Sequence, residues 1–237
     1  MKNGEICTIV QDVLKVKKEL IAIKVWKKEP DGIRRYEGKA FPGMCGQIGE
    51  VLTSKETFLT DLSNQLCTGG MVATGVASPP SGDQIKEILA MHIEMTKDYG
   101  DLETATRYHE ESVEMIPPVR ERNEVVQLGL FREIFDPDLV LIFCTPGAAD
   151  ILNRAYSYVT GESIRGFGGN GGCLFAVQYP YVMQKPSFSY SDISWRKFVG
   201  LEDEELTMTF PLESLLRFIA KLPAVAEEYR NFGTGMG

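Results

Sequence analysis

The run Leu139-Val-Leu-Ile-Phe143 limits the fold more than any other segment of this chain. In an extended chain successive side chains point to opposite faces, so this run is apolar on both. Water is excluded from both faces only if the strand is central in a sheet covered on each side. The run therefore predicts a buried central strand. Val125-Val-Gln-Leu-Gly-Leu-Phe131 predicts a neighbour, and Ile21-Ala-Ile-Lys-Val-Trp26, rich in β-branched and aromatic residues, predicts another. Further strands are expected at Phe58–Leu62 and Glu205–Phe210.

Helical patterns stand between these runs without alternating strictly with them. Val13, Leu14, Val16 and Leu20 among lysines predict a short helix over 11–20, and Cys45 opens an amphipathic helix at Gln47–Leu52. Residues 83 to about 115 read as two helices broken near Tyr99-Gly-Asp101. Asp83 and Asp101 are their expected N-caps, and Pro117-Pro118 is the stop. Gly147–Tyr158 is a further helix. Leu212, Leu215, Leu216, Ile219 and Leu222 fall on one helical face. The stretch after Cys173 reads as a helix or a buried strand, and residues 195–209 as a turn and a strand. The expected fold class is α+β: one domain over residues 1–237, a mixed sheet flanked by helices, with a floppy tail over 231–237.

Composition narrows the function classes. A formal charge of −8 with no Lys/Arg cluster argues against a nucleic-acid footprint. No targeting segment is read at the N-terminus, and no apolar run approaches the roughly 18 residues of a membrane span. A cytoplasmic protein is expected, with its 5 cysteines reduced rather than paired.

Most standard motifs are missing. There is no P-loop and no Gly-x-Ser-x-Gly elbow, since Gly161-Glu-Ser-Ile-Arg165 has arginine where the second glycine belongs. His92 and His109 lack the partners of zinc-protease or deaminase motifs and read as surface or satisfied residues. Gly166-Phe-Gly-Gly-Asn-Gly171 matches Gly-x-Gly-x-x-Gly, but Ser163-Ile-Arg165 is a poor strand to precede it.

What remains is a recurrence of cysteine beside glycine. Cys45 lies in Pro42-Gly-Met-Cys-Gly46, Cys67 in Cys67-Thr-Gly-Gly-Met71, and Cys173 ends Gly166-Phe-Gly-Gly-Asn-Gly-Gly-Cys173. Glycine brings bare backbone N–H groups close to whatever a cysteine holds, so Gly69, Gly70, Gly168, Gly169, Gly171 and Gly172 are candidate cofactor-binding positions. Cys7 and Cys144 lack that context and read as small buried residues.

The order Tyr36-Glu-Gly38, Cys45, Cys67-Thr-Gly-Gly70, Gly75, Pro137-Asp-Leu-Val-Leu141, Cys173 and Trp195-Arg-Lys-Phe-Val-Gly-Leu-Glu-Asp-Glu-Glu-Leu206 resembles the DUF169 family over nearly the whole chain. The family's Pro-Val-Ala-Val-Lys strand reads Leu20-Ile-Ala-Ile-Lys24 here. The resemblance implies a single α+β domain and a shared role for Cys45, Cys67 and Cys173. It supplies no reaction.

The first expectation is a metal centre on Cys45, Cys67 and Cys173, either a [4Fe–4S] cluster with one open iron or a zinc with one open position. A metal-free thiol enzyme or redox sensor is the second, with Cys173 as the catalytic nucleophile because the richest N–H cradle precedes it. A third is a non-catalytic binding protein for a small anion, using Arg165 and Gly166–Gly172, and a fourth is a scaffold or subunit. The small-molecule or redox partner and any homo-oligomer stay open.

Overall fold

The computed structural model describes residues 1–38 and 43–232. In chain order the elements are α1 (Asn3–Leu14), β1 (Ile21–Trp26), α2 (Met44–Ser54), β2 (Phe58–Thr60), α3 (Gly69–Ala73), α4 (Asp83–Met95), α5 (Leu102–Met115), β3 (Val125–Leu130), β4 (Leu139–Cys144), α6 (Pro146–Thr160) and β5 (Arg165–Phe167). A π-helical turn, Leu174–Gln178, then runs into α7 (Tyr179–Met183), followed by β6 (Ser187–Ser189), α8 (Ile193–Val199), β7 (Leu206–Pro211), α9 (Leu212–Phe218) and α10 (Leu222–Asn231).

Among the described residues the strands form one seven-stranded sheet in the order β2-β3-β1-β4-β7-β6-β5. All pairs are antiparallel except β5–β6, so the sheet is mixed and the fold is α+β, as the sequence predicts. β4 is the middle strand and every residue of it is buried. Its alternation divides the core. Val140, Ile142 and Cys144 join one apolar cluster under α1, α6, α9 and α10, whereas Leu139, Leu141 and Phe143 join the other, under α2, α3, the π-turn and α8. This second layer carries the candidate site.

Three local expectations are corrected. The first helix is Asn3–Leu14 rather than 11–20: Lys15 takes a left-handed conformation (φ 56°) and ends it, and the lysine-rich stretch that follows is not helical. Residues 193–199 form α8, because Asp192 accepts the Trp195 N–H at 2.7 Å and Gly200 closes the helix with φ 76°. Asp83 is the first residue of α4 rather than its cap, while Asp101 caps α5 through the Thr104 N–H at 2.8 Å. Of the stretch 231–237, Asn231 is the last residue of α10; residues 233–237 lie outside the described residues, as does Pro42.

Candidate thiol site

The sheet sorts the cysteines. Cys7 on α1 and Cys144 at the end of β4 are packed in the first cluster, as their plain sequence context predicts. Burial pushes the Cys7 thiol up to about 11, and burial together with the nearby Glu205 carboxylate pushes Cys144 up to about 12. Cys45 and Cys173 belong to the opposite layer, and Cys67 stands beside them at the surface. No disulfide joins any of the five.

Each of the three is held by a different element. Cys45 is the second residue of α2, and its sulfur lies close to its own N–H and that of Gly46. Cys67 pairs with Gly43 in an isolated parallel bridge, which ties the two cysteine segments together directly before α2 and α3. Gly43 adopts φ 151°, and a Cβ there would stand 2.8 Å from the Cys67 carbonyl oxygen, so this approach requires glycine. A side-chain network fixes the same two segments: Gln65 Nε2 donates to Gln47 Oε1 at 2.7 Å and to Thr60 Oγ1 at 2.9 Å. Cys173 lies at the entry of the helical run whose next five residues, Leu174–Gln178, are π-helical. Such turns recur where a helix must aim side chains at a site.

The three thiols lie in one neighbourhood. The Sγ atoms of Cys67 and Cys173 lie 3.6 and 4.0 Å from the one point where a Cβ on Gly69 would stand. Cys45 feels the charge of Cys67, and Cys173 feels those of Cys45 and Cys67. Asp192 weighs on both Cys45 and Cys173. Loss of solvation is the larger cause in each case; it and the like charges push Cys45 up to about 12 and Cys173 well above the ordinary thiol range. A role for Cys173 as nucleophile would need the opposite shift, toward the thiolate. Among the described residues no three His, Cys, Asp or Glu side chains are placed as a ready metal cage.

Of the six candidate glycines, Gly70, Gly169 and Gly172 stand at close contacts. A Cβ on Gly70 would collide with Met44, so α3 meets α2 there at the residue beside Cys45. Gly69 and Gly168 make only ordinary contacts, and the nearest neighbours of Gly171 are Leu174 and Phe175. The Gly172 N–H donates to Asp192 rather than to a thiol, and a Cβ at that position would press on Trp195. Gly169 lies against the Tyr108 hydroxyl. The glycine run does stand between a strand, β5, and a helical start, a context the sequence reading puts aside. Gly166, however, lies inside β5 under the Phe188 ring, and Arg165 is exposed.

The stretch from Trp195 to Leu206 is a brace under this site. Trp195 is 1% exposed, and its Nε1 donates to Thr207 Oγ1 on β7 at 3.1 Å. Arg196 donates to the carbonyls of Tyr190, Glu202, Asp203 and Glu205, which pins the loop between α8 and β7.

Sequence reasoning passes over the histidines, and the structure brings both to one place. The α4–α5 hairpin folds over the glycine run, enclosing a cavity of about 180 Å³ lined by His92, His109, Tyr99, Tyr108 and Asp192 among others. His92 Nδ1 lies 3.2 Å from Asp98 Oδ2 and is a satisfied residue, as predicted. Its spacing of 17 from His109 acquires meaning only once the chain reverses at residues 99–101. A larger groove, about 750 Å³, runs past the other side of the site, where Leu66 and Thr68 flank Cys67 and Arg120 and Arg122 line the far wall. No described helix is long and apolar enough to cross a membrane.

Comparison with known proteins adds no reaction. "Uncharacterized protein MJ0308" of Methanocaldococcus jannaschii is 25% identical over 212 residues, 87% of this chain and 87% of that protein. No solved structure matches the chain. The family model described as "Uncharacterised ArCR, COG2043" matches residues 9–221, which takes in all three clustered cysteines, the Trp195 brace and the whole sheet, and the chain belongs to that family, DUF169.

Proposed function

We propose that Cys45, Cys67 and Cys173 hold a metal centre, an iron–sulfur cluster in preference to zinc, with one coordination position left open. The observation that supports this reading is the closeness of the Cys67 and Cys173 sulfurs to the Gly69 position, with Cys45 near enough to feel the charge of Cys67, and with Cys67 exposed beside a groove. A donor set of sulfur alone suits soft metals, and three ligands leave a [4Fe–4S] cluster one open iron or a tetrahedral zinc one open site. When bound, such a centre supplies electron transfer or Lewis-acid polarisation of a small molecule.

The chain's own part is positional. Cys45 is anchored by the first turn of α2, where the helix dipole favours a negative sulfur. Cys173 stands at the entry of the π-turn, and Gly172 before it packs on Trp195. Cys67, on the exposed segment, would supply the ligand nearest solvent. Asp192 spends its carboxylate on the N–H groups of Gly172 and Trp195, so it orients the turn rather than completing the donor set. A cytoplasmic setting keeps the thiols reduced for this role.

Anaerobic purification with iron, sulfide and zinc analysis tests the reading. Wild-type protein is expected to carry stoichiometric metal, and Cys45→Ser, Cys67→Ser and Cys173→Ser each to lose it, with Cys7→Ser unchanged. Negligible metal after reconstitution would sink the proposal and favour a metal-free thiol protein.

A further inference from the structure

The cavity beneath the α4–α5 hairpin has features of a binding site that packing alone does not require. Its floor is formed by Asn170, Gly171 and Leu174, on either side of Cys173, and by Asp192. Its roof carries two buried hydroxyls, Tyr108 Oη and Ser112 Oγ, that have no hydrogen-bond partner of good geometry, although they lie near each other and near the Asn170 backbone. Ser112 is 3% exposed. A buried hydroxyl left unmatched costs free energy, so it marks a place where a ligand atom completes the bonding. A Cβ on Gly169 would overlap the Tyr108 hydroxyl, so glycine there keeps that group at the cavity wall.

The lining also selects charge. It includes the carboxylates of Asp98, which faces His92, and of Asp192, which also accepts two backbone N–H groups, together with His92 and His109 and no lysine or arginine among the described residues. The rings of Tyr99 and Tyr108 stand 5.4 Å apart at an angle of 46°, which presents aromatic π-surface to an occupant. Carboxylates and tyrosine rings in a confined space attract cations and repel anions. At about 180 Å³ the cavity has room for about six waters at ~30 Å³ each, hence for one ring with a substituent.

We propose that this cavity binds a small, flat organic cation of the amidinium or protonated-amine class, with Tyr108 and Ser112 accepting its N–H groups and Asp98 and Asp192 matching its charge. The hairpin suits this role, because α4 and α5 bury only Leu89, Ala105 and Ser112 and therefore open at low cost. The cavity stands on its own geometry. Only the further step, that its occupant is the substrate of the thiol centre one residue away, rests on the metal reading above.

Three probes of one shape and different charge test it: benzamidine (cationic), benzamide (neutral) and benzoate (anionic), each titrated into the full-length protein at neutral pH by calorimetry. Benzamidine is expected to bind in roughly the millimolar range or tighter, about tenfold better than benzamide, with benzoate weakest. Asp98→Asn is expected to remove most of the preference for benzamidine, and Tyr108→Phe, which deletes only the unmatched hydroxyl, to weaken benzamidine about tenfold. No saturable benzamidine binding, equal binding of the three probes, or Tyr108→Phe protein that binds as wild type would overturn the proposal. The same titration of metal-free Cys67→Ser protein separates the two readings. Binding retained there supports the cavity even if the metal centre fails, and binding lost there, with the fold intact, overturns the cavity as an independent site.

Discussion

One substitution, glycine to alanine, is expected to change sign between two helices of this protein. Gly49 lies in the middle of α2, and a Cβ built there would stand 2.1 Å from the Phe198 carbonyl oxygen on α8 and 3.2 Å from its carbon. Real Cβ contacts begin near 3.0 Å, so α2 and α8 must part by about 1 Å, and the obstacle is backbone that cannot swing aside. Overpacking of this kind costs about 1–3 kcal/mol, against which alanine recovers at most about 1 kcal/mol of helix propensity. Gly4 in α1 has nothing within 4 Å of the same added carbon, so Gly4→Ala keeps only the propensity gain, reduced by its place in the first turn. Thermal and urea unfolding are the assays. Gly49→Ala is expected to lower the melting temperature by several degrees, at about 2–4 °C per kcal/mol for a chain of this size, and Gly4→Ala to leave it unchanged or slightly raised. Because α2 carries Cys45 and Asp192 caps α8, Gly49→Ala is also expected to reduce metal retention. Equal effects of the two substitutions, or a Gly49→Ala protein as stable as wild type, would refute the reading that backbone approach of α2 and α8 builds the site.

Asp101→Ala, which removes the cap on the Thr104 N–H, is expected to cost about 1 kcal/mol and to speed hydrogen exchange selectively in α5. Cys144 has a folded-state thiol raised to about 12, above an unfolded value near 8.5, so the stability it supports is fully present below about pH 8.5 and is lost as pH rises toward 12. Cys144→Ala is therefore expected to flatten the alkaline fall of stability by up to ~1.4 kcal/mol per pH unit in that window, and identical urea midpoints for both proteins at every pH would count against it. Asp61 shows the opposite sign: burial works to raise its carboxyl, but bonds from Ser63 and Arg35 prevail and hold it low. Its contribution is present above the unfolded value near 3.9 and disappears as pH falls below it, so the melting temperatures of Asp61→Asn and wild type should converge in acid.

The sheet was largely readable because its signal is local. Two-faced apolarity in Leu139–Cys144 leaves a strand no place but the centre, and β1, β3 and β7 follow from β-branched runs. Elements set by a single backbone angle or a short cap were less readable. Nothing in the lysine-rich pattern singles out Lys15 as left-handed, and α8 is only seven residues long, signalled by Asp192 before it and Gly200 after it. At the site, cysteine beside glycine marks the right places for a partly different reason. Gly43 and Gly70 let backbones approach, and Gly172 gives its N–H to a carboxylate. The cavity was invisible because its residues, from His92 to Asp192, are gathered only by the fold-back of the hairpin.

This division of labour separates the site's stability from its chemistry. The residues that hold α2, α3 and α8 together are Gly49, Gly70, Met44 and Trp195, at contacts where added volume has nowhere to go. The thiols contribute less to that packing, since Cys67 is exposed and Cys173 only half-buried. Replacing a surface sulfur by oxygen removes little apolar burial, so Cys67→Ser is expected to stay within about 0.5 kcal/mol of wild type. Loss of bound metal in that variant would then report on ligation and not on unfolding. The converse holds at Gly70, where any side chain forces α3 away from α2 and moves Cys67 from Cys45 without touching either thiol. On the metal reading proposed above, the glycine contacts at Gly49 and Gly70 would fix the spacing of α2, α3 and α8, and with it the spacing of the three thiols.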